Sequence, residues 1–187
     1  MHTPLPNMKS KTIAFIKELL TFAAISLIIV IPVRIFIAQP FIVSGESMYP
    51  TFETGQYLIV DQLSYRFNDP QRGDVVIFNY PKNPSKFFIK RVIGLPSETV
   101  VVDGTSVYIT KTDGEEILLK EPYIAMQKES DIKTTLKDDE YFVMGDNRLA
   151  SLDSRVWGPL EEKFIVGKAY IRLLPFDKMT FFPGNKE

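Results

Sequence analysis

The sequence predicts a mostly β protein, with a single N-terminal transmembrane helix followed by one all-β domain. Two patterns carry this prediction. Residues 19–33 form an apolar run without a charge, and beyond Pro40 the chain changes to short β-branched and aromatic runs divided by turn residues. A third observation restricts the chemistry: the 187 residues include no cysteine, and the one histidine is His2.

The apolar segment comes first. Ile13 to Ile16 before the uncharged run and Ile35 to Ala38 after it bring the segment to spanning length, since a helix needs roughly 20 residues to cross the hydrocarbon core. Lys17, Glu18 and Arg34 sit near its ends, where charges can snorkel. A cleaved signal peptide fits poorly, because a cut after Ala38 places the bulky Phe36 at the third position and Pro40 just beyond the bond. Lys9, Lys11 and Lys17 precede the run, whereas no basic residue follows Arg34 until Arg66. The positive-inside rule then gives a cytoplasmic tail over 1–12, an anchor over 13–38 and an extracytoplasmic domain over 39–187, at a plasma membrane crossed once.

Within that domain, strands are predicted over 57–61, 74–80, 86–93, 99–102, 106–110, 116–119, 141–144 and 164–174. Asp103-Gly104 and Asp113-Gly114 mark tight turns, because glycine accepts the positive φ that such turns need. The charged stretch 120–139 shows neither period and reads as a surface excursion. Arg72-Gly73-Asp74 reads as the turn into the next strand, and Asn83-Pro84-Ser85 fails as a glycan acceptor because proline occupies its middle position.

Composition narrows the function further. A net charge of −1 with interspersed signs argues against a nucleic-acid partner. Without cysteine and with histidine only in the tail, thiolate nucleophiles, cysteine-ligated zinc, histidine-based metal sites and a Ser-His-Asp triad are excluded. A serine nucleophile then needs lysine, a carboxylate or an amine as its base. Lys90 is the outstanding candidate. Strand alternation in Phe87-Phe88-Ile89-Lys90-Arg91-Val92-Ile93 places it on one face with Phe88 and Val92, where burial favours the neutral amine. Ser47, in Ser44-Gly45-Glu46-Ser47-Met48-Tyr49-Pro50 just after the apolar segment, is the matching hydroxyl.

These blocks, with Arg72-Gly73-Asp74-Val75-Val76, Lys90-Arg91-Val92-Ile93-Gly94-Leu95-Pro96 and Gly145-Asp146-Asn147-Arg148 through Asp153-Ser154-Arg155, resemble in order the motifs of the type I signal peptidase family. The resemblance is to its short, single-span form. It implies a membrane-bound Ser-Lys endopeptidase that removes signal peptides from exported preproteins after small residues, on the β fold shared with self-cleaving repressors. It also implies Ser47 as nucleophile, Lys90 as general base and Ser151 as the hydroxyl that orients the lysine, a chemistry that needs no cofactor and no metal. Asp146 and Arg155 belong by the same likeness to a salt-bridged framework, with Asp146 reaching Arg91 as a further hypothesis.

Where the family often carries an oxyanion-hole hydroxyl, this chain has Gly45, so backbone N–H groups including that of Ser47 are expected to serve. Val43, Leu58, Val60 and Ile89 are the expected lining of the substrate pockets. The implied partners are signal-peptide-bearing preproteins and membrane lipid. Two alternatives remain: a self-cleaving regulator, which lacks its DNA-binding partner here, and a noncatalytic membrane-anchored β-domain that binds partners.

Overall fold

The structure, a computed structural model, describes residues 8–32 and 38–184. The chain divides into two compact units, with the boundary between Ala38 and Gln39. In the first, helix α1 (Met8–Pro32) has 25 residues, a length of about 37 Å at the usual rise. Within it, Thr12–Ile31 has a mean hydropathy of 2.2 and buries none of its length inside the protein, so it is long and apolar enough to cross a membrane. The helix begins ahead of the expected 13–38 segment. Positions 33–37 lie outside the described residues, and Ala38 already opens a strand.

After β1 (Ala38–Ile42), whose first residue lies at the boundary, the second unit holds β2 (Tyr57–Asp61), β3 (Val75–Tyr80), β4 (Asn83–Gly94), β5 (Thr99–Gly104), β6 (Ser106–Thr110), β7 (Glu116–Leu118), β8 (Ser130–Thr135), β9 (Glu140–Met144), the one-turn helix α2 (Ser154–Trp157), β10 (Leu160–Glu161), β11 (Ile165–Leu174) and β12 (Thr180–Phe181). The fold is mostly β, as expected. A large sheet runs β1-β2-β11-β3-β4-β9-β10, with β12 also on β11, and a small one runs β7-β6-β5-β8. The pairings of β2 through β12 are antiparallel.

Burial explains the sequence pattern strand by strand. Val75 and Ile77 of β3 enter one core with Val43, Met48, Phe52, Leu58 and Val60, while Val76 and Phe78 enter another with Val92, Tyr141 and Leu160. A strand buried on both faces reads as a continuous apolar run. A third core joins the two sheets, with Ile93, Phe142 and Met144 of the large one meeting Val100, Val102 and Ile109 of the small one. Asp103-Gly104 closes the β5–β6 hairpin, with Gly104 at φ 58°, and Gly114 turns the chain between β6 and β7 at φ 87°.

One expectation is corrected. Stretch 120–139 is not a featureless excursion: it contains β8, paired along its length with β5. Its alternation is carried by Ile132 alone among polar residues, and no position of the strand is fully buried, so the two-residue period has almost no hydrophobic contrast.

Candidate active site

Two elements supply the site, a loop after β1 and the middle of β4. The loop is held at its base like a short ladder: Val43 donates to Gln56 O at 2.9 Å and Gly55 donates to Val43 O at 2.9 Å. Thr54 extends that ladder with its side chain, its hydroxyl accepting from Gly45 N at 3.1 Å and donating to Gly45 O at 2.9 Å. Gly45 has φ 95°, a left-handed conformation that side chains resist. Beyond it, Met48 and Phe52 are fully buried and Phe52 N donates to Met48 O, which pins the far end of the loop in the core. Ser47 is left half exposed between the two anchors.

From β4, Lys90 reaches that serine. Its Nζ donates to Ser47 Oγ at 2.8 Å and to the Ile89 carbonyl at 2.8 Å, and lies 5.1 Å from the Phe88 ring centre. Only 3% of Lys90 is exposed. Burial pushes the amine down from 10.5 to about 8, against the opposing pull of the Asp153 and Asp146 carboxylates. An amine so placed is partly neutral near physiological pH and can take a proton.

Behind the pair stands a framework of buried charges from the loop after β9. Asp146 accepts from Arg91 Nε at 2.9 Å and Nη2 at 2.6 Å, and from Thr51 Oγ1 at 2.6 Å. The two-point pairing and the added hydroxyl satisfy a carboxylate that would otherwise be costly to bury. Asp153 takes Gly145 N at 3.0 Å and the Arg155 guanidinium at 2.8 and 2.9 Å. Burial alone would raise the Asp153 carboxyl, yet Arg155 and the neighbouring donors hold it below its ordinary range. Asn147 N donates to Ser47 O at 3.0 Å, so this loop also grips the backbone of the serine.

An apolar cleft of about 470 Å³ opens beside Ser47 and Lys90, walled by Phe41, Val43, Leu58, Phe87, Ile89 and Leu152 among others. Of the four expected lining residues, Val43, Leu58 and Ile89 are there. Val60 is not: it shares a face of β2 with Leu58 but lies two residues further on, about 7 Å away, and is fully buried against the core.

The structure brings Ser47, Lys90, Gly45, Asp146 and Arg155 into one region, with Asp146 on Arg91 as hypothesised and Arg155 on Asp153. Ser151 is half-buried, with its hydroxyl oxygen shielded from solvent and turned to the Asp153 carboxyl that it helps to hold down, though without a hydrogen bond of ordinary geometry; the second acceptor for Lys90 is the Ile89 carbonyl. The residue that explains where Ser151 sits is Gly145, which sequence reasoning quoted only as part of a motif. A Cβ on Gly145 would fall 2.3 Å from Ser151 Oγ and 2.4 Å from Ser47 O. The roles of Thr51, Thr54 and the Asn147 amide were also missed. Two are hydroxyls among many in the chain and one is a backbone group, so nothing local distinguishes them.

Comparison with known proteins points the same way. Residues 16–174 match the profile of the family described as signal peptidase, peptidase S26. A probable signal peptidase I-1 from Synechocystis sp. is 38% identical over 185 residues, covering 91% of this chain and 92% of its own. Signal peptidase I from Leptolyngbya laminosa is 37% identical over 162 residues, covering 83% of this chain and 78% of its own. A crystal structure of a signal peptidase I from Enterococcus faecalis V583, 30% identical, covers 54% of this chain and 97% of its own with a TM-score of 0.46. With a profile match running from inside α1 to the last residue of β11, and relatives above 30% identity along most of both chains, the chain belongs to the signal peptidase family, peptidase S26.

Proposed function

We propose that the protein is a Ser-Lys endopeptidase that cuts signal peptides from preproteins after small residues. The observation that carries this reading is the 2.8 Å contact between a buried Lys90 amine and the Ser47 hydroxyl at the edge of an apolar cleft. Neutral Lys90 takes the Ser47 proton as Oγ attacks the scissile carbonyl. The ammonium so formed donates that proton to the leaving amine, and the acyl-enzyme is released by water activated at the same nitrogen. Gly45 contributes no hydroxyl and its N–H is engaged by Thr54, so the Ser47 N–H is the main donor to the oxyanion. Ser151, whose hydroxyl lies beside Gly145, is the group that orients the lysine, and Asp146 and Arg155 fix the loop that holds Ser47.

Val43, Leu58 and Ile89 favour small side chains on the substrate. The apolar helix anchors the domain to a plasma membrane, and the lysines at 9, 11 and 17 keep its N-terminus cytoplasmic, so cleavage occurs on the outer side.

The test is precursor processing by membranes that carry Ser47→Ala, Lys90→Ala, Lys90→Arg or Ser151→Ala. Cleavage is expected to vanish in the first three, arginine failing because its guanidinium keeps its proton, and to weaken in the fourth. Wild-type processing by Lys90→Ala would refute the mechanism.

A further inference from the structure

Arg91, the neighbour of Lys90 on β4, is 1% exposed and engages four of its five donor positions. Two go to Asp146. The other two, both from Nη1, go to the Gly73 carbonyl at 2.8 Å and to the Gly184 carbonyl at 2.6 Å, while the Tyr123 ring stacks 3.9 Å from the guanidinium carbon. Gly184 lies ten residues past the family match, which ends at 174.

The path to Gly184 is built. After β12 pairs with β11, Phe182 N donates to Tyr170 O at 2.7 Å and its ring meets the Tyr170 ring edge-on at 5.1 Å. Phe182 turns the chain at φ 48°, which costs a bulky residue strain, and Pro183 is buried. Gly184 follows at φ 99°, and a Cβ there would stand 2.7 Å from Val75 Cγ2 and 3.3 Å from the Phe52 ring. The strain at Phe182 and the close packing at Gly184 thus coincide with the delivery of one carbonyl to a buried cation.

We propose that residues 182–184 form a latch that positions the Ser47–Lys90 pair from behind, by fixing the Arg91 guanidinium through the Gly184 carbonyl. Arg91 aims its other edge at Asp146; the residue after Asp146 holds the Ser47 carbonyl through its N–H, and Lys90 is fixed by the same strand as Arg91. The inference rests on the Ser-Lys reading above and assigns it a distant positioning element. The charged groups around the lysine are the Asp146 and Asp153 carboxylates, countered by Arg91 and Arg155. On the far side of Arg91, Tyr123 donates to Glu121, which pairs with Arg148. When the latch is lost, Arg91 neutralises Asp146 less well and the carboxylate acts more strongly on Lys90, which then keeps its proton to higher pH.

The experiment uses the membrane-embedded full chain, a variant ending at Phe182, and Gly184→Val. For cleavage of a precursor, both variants are expected to lose roughly tenfold or more in kcat with KM within about twofold, and to shift the acid limb of the pH–rate profile upward by about half a unit or more. Lys178→Ala, which breaks an exposed ion pair with Glu53, serves as the control and keeps wild-type values. Wild-type kcat and profile in both variants overturn the latch, as does a loss that is equal at every pH. Activity in Lys90→Ala, run in parallel, would instead sink the underlying Ser-Lys reading.

Discussion

At Lys90 the requirements of chemistry and of stability oppose each other. The amine is held at about 8 in the folded chain against 10.5 when free, so between these values the unfolded chain binds the extra proton. Stability from this group therefore rises with pH across that window, is complete above 10.5 and is missing below 8, a span of roughly 3 kcal/mol. Lys90→Met is expected to remove that dependence and to be the more stable protein at pH 7 by an amount of that order. Thermal melts of both chains from pH 6 to 11 check this; parallel curves would show that the amine is not desolvated. For the active protein, kcat/KM is expected to climb with pH and level off above about 8.

Gly145 belongs to the same scale. Its hydrogen is the only substituent that fits between Ser47 O and Ser151 Oγ. Gly145→Ala is expected to lower cleavage by two orders of magnitude or so and to cost about 1–3 kcal/mol of stability, because the added carbon meets the Ser47 carbonyl and Ser151 at once. A rate within threefold of wild type would show that the close approach has no functional weight.

Among the elements, β4 does the most. Its first half borders the cleft, its middle carries Lys90 and Arg91, and its end passes under the small sheet at Gly94, where a Cβ would lie 2.4 Å from Val100 Cγ2. Gly94→Ala is expected to cost about 1–3 kcal/mol in denaturant unfolding by forcing the two sheets apart. Ile89→Ala, on the cleft wall and half-buried against the core, is expected to cost about 1–2 kcal/mol and to admit larger side chains before the cut, which mass spectrometry of the cleaved precursors reports.

This strand also shows what a sequence can reveal. Lys90 between apolar neighbours stands out because alternation fixes its face; β2, β5 and β6 were legible by the same alternation, and β3 and β9, buried on both faces, as continuous apolar runs. β1, β8, β10 and β12 were not, being short or almost without hydrophobic contrast. The site followed the same division. A lysine or serine in a motif could be picked out, but Thr54 holding both polar groups of Gly45, or Val60 falling behind the cleft wall, depends on loop closure and on distance along a strand.

For the whole molecule, the relevant division is between an apolar helix and a domain with its own three cores. The helix is expected to keep the protein in the membrane fraction through alkaline carbonate washing, and a chain lacking residues 1–38 should fold yet process membrane-inserted precursors far more slowly. Protease added to intact cells stripped of their wall is expected to reach the β domain and spare a tag at the N-terminus. Protection of the domain in that experiment would reverse the orientation.

A lysine that sheds its charge is also an electrophile target. At pH 7 about one in ten Lys90 amines is unprotonated, against about one in three thousand for a lysine at 10.5. An aromatic aldehyde with an apolar tail should therefore condense with Lys90 ahead of the solvent-facing lysines, and borohydride trapping of that imine would give an occupancy label for the cleft that never needs the serine.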